Sequence, residues 1–90
     1  IARVLKLEGK SDSELTNSLI NKIREFNVAL NIPATMKEYG ITEVDFLANV
    51  KHIAHNAVLD ACTGSNPRTI DDETMEKLLS CTFYGSEVKL

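Results

Sequence analysis

The chain has no tryptophan, and only three Phe and two Tyr in 90 residues. So few aromatics leave an aliphatic core as the expectation. Only two cysteines occur, Cys62 and Cys81. A secreted domain of this size would carry several bridges, so two lone thiols point to a reducing, cytoplasmic setting. No apolar run reaches the ~20 residues of a membrane span, and no signal-peptide pattern opens the chain. Basic residues number ten, against thirteen acidic, and no two are adjacent. Nucleic-acid faces need clustered Lys and Arg to replace counterions, so that partner class is excluded, as is a membrane.

What is present is ordinary: 43% hydrophobic and 26% charged residues, with net charge −3. High net charge and low hydrophobicity, the marks of disorder, are both missing. Residues 1–90 have room for one domain at most, with a core that is marginal alone. The opening Ile1–Leu7 reads as the tail of a helix whose start is missing, with Gly9 as its left-handed stop. The expectation is therefore a single partial all-helical domain, truncated on its N-terminal side.

Helix signals follow in order. Ser11-Asp12-Ser13-Glu14 has the capping-box pattern, in which two side chains cover orphan amides. Leu15, Leu19, Ile23, Phe26 and Leu30 then make one stripe, predicting a helix from about Ser13 to Asn31, stopped by Pro33. Thr35 to Glu38 repeats the box, and Gly40 closes a short turn. Thr42 opens a helix to about Ala61, with Phe46, Val50, Ile53, Ala57 and Ala61 as its stripe and Ala54 and Val58 alongside. Asp71 caps a last helix, with Met75, Leu78, Leu79 and Thr82 inward and Gly85 at its end. No strand alternation appears. The fold class is all-α, a helical bundle fragment.

Chemistry-bearing residues are few. His52 and His55 are three apart, but they lie on the side of their helix away from the stripe, with no carboxylate one turn away on that face. A metal needs further ligands at about 2 Å, so these are read as solvated or interdomain histidines. Cys62 and Cys81 lack the close Cys-x-x-Cys spacing of zinc modules. His55 is about two helical turns from Cys62, too far to activate a thiol, and Cys81 is read as a buried structural thiol. Asp71, Asp72 and Glu73 occupy the amides an anion would use, and no Gly-rich nucleotide fingerprint exists. The loop Cys62-Thr63-Gly64-Ser65-Asn66-Pro67-Arg68 is different. Pro67 stiffens it, Asn66 can brace a turn through its side chain, and Arg68 can present five donors elsewhere. On residues alone, Asn66, Pro67 and Arg68 form a structural latch.

That loop, preceded by Asp60, resembles the Cys-Thr-x-x-Asn-Pro-Arg signature near the end of iron-containing alcohol dehydrogenases. Leu30-Asn31-Ile32-Pro33 is similar to the family's Leu-Gly-Ile-Pro segment. Tyr39-Gly40-Ile41, Asp45-Phe46-Leu47-Ala48-Asn49-Val50 and the terminal Phe83-Tyr84-Gly85 resemble bifunctional aldehyde–alcohol dehydrogenases. The resemblance implies a fermentative, NAD-dependent parent enzyme that interconverts aldehydes and primary alcohols, with Fe²⁺ polarising the substrate oxygen. It implies that this chain is the C-terminal part of the helical domain, and that the parent forms a homo-oligomer or filament. The family's ligands, one Asp and three His, would lie upstream, so no metal, cofactor or catalytic role passes to any residue here. The Cys-Thr loop would line the substrate cleft, which makes Cys62 a cleft residue and not a nucleophile. Asn31 departs from the family's Gly, with local backbone consequences expected.

The fragment would then supply scaffold and one cleft-lining loop, bind neither Fe²⁺ nor NAD alone, and be inactive without the remainder of the parent enzyme. The alternative is a free-standing helical protein-interaction module, using exposed apolar residues such as Val28 or Leu59.

Overall fold

The computed structural model describes residues 1–89, and they form two compact units, residues 1–34 and residues 35–89. Four α-helices and a short 3-10 turn account for the regular structure, with no strand among the described residues. The all-α expectation is correct.

In the first unit, the helical tail expected at Ile1–Leu7 is a single turn. The Leu5 amide donates to the Ile1 carbonyl at 3.1 Å. The turn then closes by a double bond pattern, Lys6 to Arg3 and Leu7 to Ala2, with Lys6 left-handed at φ 54°. This is the Schellman stop, placed three residues before the Gly9 expected to provide it. Gly9 is not left-handed and serves another purpose. A Cβ there would lie 2.8 Å from the backbone nitrogen of Leu15.

Helix α1 spans Asp12–Ala29. Its capping box forms as read: Ser11 Oγ accepts from the Glu14 amide at 3.2 Å, and Glu14 Oε2 accepts from the Ser11 amide at 3.3 Å. The helix stops two residues earlier than expected because Asn31 adopts φ 55°. Asn31 donates to Val28 and Ile32 to Asn27, a second Schellman stop ahead of Pro33. Asn thus takes the left-handed conformation a glycine would enter without strain, the local consequence anticipated for this position. Of the α1 stripe, only Leu15 is buried; Ile23, Phe26 and Leu30 are exposed.

The second unit comprises α2 (Met36–Tyr39), α3 (Glu43–Leu59), the 3-10 turn (Thr63–Ser65) and α4 (Asp72–Tyr84). Thr35, Thr42 and Asp71 each cap a helix by accepting the amide three residues on. Gly40 at φ 110° and Gly85 at φ 74° end α2 and α4 in the left-handed region. The expected extension of α3 to Ala61 does not form: Asp60 turns extended at ψ 134°.

The core of this unit corrects the aliphatic expectation. Phe46 of α3 and Phe83 of α4 stack with centroids 4.3 Å apart and planes 11° from parallel. Phe83 is fully buried, and Tyr84 meets both rings edge-on. Met36 and Leu79 pack around the pair. Such ring pairs add about 0.5–1.5 kcal/mol beyond the area they bury. The inward face of α3 is Phe46, Val50 and Ala54, so Ile53 is half-exposed and Ala61 exposed. On α4 the inward residue at the end is Phe83, and Thr82 is exposed. Two further ties join the helices: Tyr84 Oη donates to Glu43 Oε1 at 2.5 Å, and His55 Nδ1 lies 2.9 Å from Asp72 Oδ2. The bond to Glu43 holds the phenol proton and raises the Tyr84 pKa above its usual 10.0.

Phe83→Ala is expected to cost about 3–5 kcal/mol, since it removes a buried ring and leaves Phe46 without its stacking partner. Phe26→Ala, at a ring that is 54% exposed, is expected to cost under about 1 kcal/mol. Urea titration followed by circular dichroism measures both; similar midpoints would contradict an aromatic core.

The Asp71 cap predicts an acid response. Bonds from the Thr74 hydroxyl and amide hold its carboxyl below the ordinary value of 3.8. Its contribution is therefore complete above that value and lost as pH falls through the lower folded one. Asp71→Asn keeps an accepting oxygen and does not titrate there. It is expected to flatten the loss of helical signal between about pH 5 and about pH 2; an unchanged acid transition would contradict this role.

Candidate functional site

The loop after α3 is short and polar, and its backbone on either side of Cys62 is hydrogen-bonded. Asp60 leads. Its Oδ1 accepts the Cys62 amide at 2.8 Å, and its carbonyl accepts the Thr63 amide at 3.0 Å. Thr63 follows as the one half-buried residue between Cys62 and Arg68. Its hydroxyl donates at 2.6 Å to the carbonyl of Ala57, one of the orphan acceptors at the end of α3. Ser65 then donates twice to the Cys62 carbonyl, from its hydroxyl at 2.7 Å and its amide at 3.2 Å. Asn66 donates from its amide to Thr63 and from Nδ2 to the Arg68 carbonyl at 2.6 Å.

Cys62 is consequently fixed on both sides of its α-carbon while its side chain is exposed as a free thiol. Among the described residues no side chain is hydrogen-bonded to that sulfur, and the segment it begins is a 3-10 turn of three residues. Arg68 is exposed, and among the described residues its guanidinium has no hydrogen bond or ion pair. The two roles thus differ: Asn66 braces the loop internally, and Arg68 is available to a group outside it.

The histidines are separate from this loop. His52 Nε2 lies 3.0 Å from Asn56 Nδ2 on the same helix, and His55 bridges to Asp72. Both are exposed. Among the described residues, no three His, Cys, Asp or Glu gather closely enough to hold a metal ion. Cys81 is half-buried, with its sulfur 3.8 Å from the Glu87 carbonyl. Among the described residues, then, no set of side chains fits an iron ion, and the sequence holds no Gly-rich segment to cradle a dinucleotide. No helix among the described residues is long and apolar enough to cross a membrane.

Asp60 and Thr63 are the anchoring residues that sequence reasoning did not single out. The available signal was a Thr just past a helix end with an Asp three before it, a pattern that satisfies orphan carbonyls and amides. The His55–Asp72 bridge joins residues 17 apart and had no local signal.

Comparison with known proteins agrees with the loop motif. The Fe-containing alcohol dehydrogenase family, C-terminal, matches residues 1–83. An NADPH-dependent butanol dehydrogenase of Clostridium saccharobutylicum is 47% identical over 88 residues, covering 98% of this chain and 23% of that protein. An aldehyde-alcohol dehydrogenase of Clostridium acetobutylicum is 42% identical, covering 90% of this chain and 10% of its own length. The bifunctional aldehyde-alcohol dehydrogenase of Escherichia coli (strain K12) is 32% identical, covering 92% and 9%. The chain thus spans a quarter or less of these relatives. With the family matched over residues 1–83 and the helical fold in agreement, the chain belongs to the Fe-containing alcohol dehydrogenases, over their C-terminal part.

Proposed function

We propose that this chain is the C-terminal helical portion of an enzyme that interconverts short aldehydes and primary alcohols using iron and a nicotinamide cofactor. The observation that carries the reading is the family match over residues 1–83, joined to 47% identity with a butanol dehydrogenase. Iron and cofactor would be held by parts of the enzyme outside this chain. The relative from Clostridium saccharobutylicum is named for NADPH, whereas the bifunctional resemblance suggests NAD; the segment that would choose between them is not in this sequence.

Within that enzyme the chain supplies scaffold and one wall of the substrate cleft, formed by the loop at Cys62. Its exposed thiol and doubly held backbone support a lining role, since a small side chain on a stiff backbone sets cleft shape reproducibly. The free guanidinium of Arg68 suits a latch onto another part of the enzyme, where its planar fork could meet carboxylates or carbonyls.

The reading is tested by turnover. The full-length enzyme with butanal, Fe²⁺ and either NADH or NADPH is expected to oxidise the cofactor. The 90-residue chain alone is expected to give none. An inert full-length protein, or robust turnover by the chain alone, would contradict it.

A further inference from the structure

We infer that Asp60 and Thr63 are positioning residues that set where Cys62 stands in the cleft, and so tune which substrates the enzyme accepts. The inference rests on the cleft reading of Cys62 given above. It begins with an asymmetry in the loop. The Cys62 side chain is exposed and, among the described residues, has no hydrogen bond, so its place depends on the backbone that carries it. That backbone departs from α3 after Leu59, where a helix leaves four carbonyls without partners.

Thr63 resolves one of those carbonyls. Its hydroxyl reaches back to Ala57, six residues earlier, and ties the loop to the rigid end of α3. Asp60 makes the complementary tie, holding the Cys62 amide through its carboxylate and the Thr63 amide through its carbonyl. With both in place, Cys62 sits between one anchor two residues before it and another one residue after it. Ser65 also secures the Cys62 carbonyl, but that bond lies wholly within the loop and does not reach α3. The register of Cys62 relative to the helix is therefore set by Asp60 and Thr63. Neither needs to touch substrate. A cleft wall displaced by an ångström is enough to change the fit of a small alcohol.

Five variants of the full-length holoenzyme test this, with iron content and melting temperature measured for each. Cys62→Leu establishes whether the loop lines the cleft: it is expected to raise KM and shift chain-length preference with iron content unchanged. Thr63→Val and Asp60→Ala are then expected to move KM and preference on the order of tenfold, with a smaller change in kcat. Thr63→Ser and Asp60→Asn keep the hydroxyl and the accepting oxygen, and are expected to return both parameters to within about twofold of the parent. If Thr63→Val and Asp60→Ala leave KM and preference unmoved while Cys62→Leu changes them, the positioning role is overturned and the cleft reading stands. If Cys62→Leu is silent with the enzyme active, the cleft reading falls and takes the positioning role with it. Should Thr63→Val fail to fold, the Asp60→Ala and Asp60→Asn pair alone decides, because a purely structural role would lower melting temperature without splitting KM from kcat.

Discussion

The second unit depends on one contact, the stack of Phe46 on Phe83. It clamps the start of α3 to the end of α4, two positions that no local hydrogen bond could join. Tyr84 closes the cluster edge-on and, through Glu43, ties the same two helix ends with a polar bond. With α3 fixed at its first turn, its far end at Leu59 becomes a rigid platform. The loop carrying Cys62 stands on that platform by way of Thr63 and Asp60. Core and candidate site are thus linked by a single helix, so packing at one end and loop geometry at the other are parts of one arrangement.

Much of this was legible in the sequence because helix ends are local. Ser11, Thr35, Thr42 and Asp71 each satisfy an amide three residues on, and Gly40 and Gly85 enter the left-handed region without a Cβ penalty. Which residues face inward was less legible. Ile53 and Thr82 fit a helical stripe as well as Ala54 and Phe83 do, and the choice depends on the angle at which two helices cross. The stack also shows why sparse aromatics did not mean an aliphatic core: three of the five rings are spent on one cluster. Lys6 in left-handed geometry was hidden because lysine does not announce it as glycine does, whereas Asn31 stands where the family has Gly.

The candidate site was legible for a different reason. Composition and spacing made residues 62–68 a stiff connector, with Asn66 as its brace, and the bond from Asn66 to the Arg68 carbonyl has that form. Only the resemblance to a family gave the connector a cleft to face. The bonds that fix Cys62 come from Asp60 and Thr63, whose side chains look like ordinary surface polar groups until the end of α3 is located. The apolar side chains left uncovered, among them Val28, Leu30 and Leu59, accord with a stretch that spans a quarter or less of its relatives. An interaction module would need the same exposure, and the family match decides between the two readings.

The central claim is that this stretch gives its enzyme a cleft wall and no metal ligand. A crystal structure of the full-length enzyme with iron, cofactor and a bound alcohol tests it most directly. The account predicts Cys62 in van der Waals contact with the alcohol or the nicotinamide, the Asp60 and Thr63 bonds intact, and His52 and His55 away from the iron. Iron bound by either histidine, or the loop lying on the outer surface far from substrate, would contradict it.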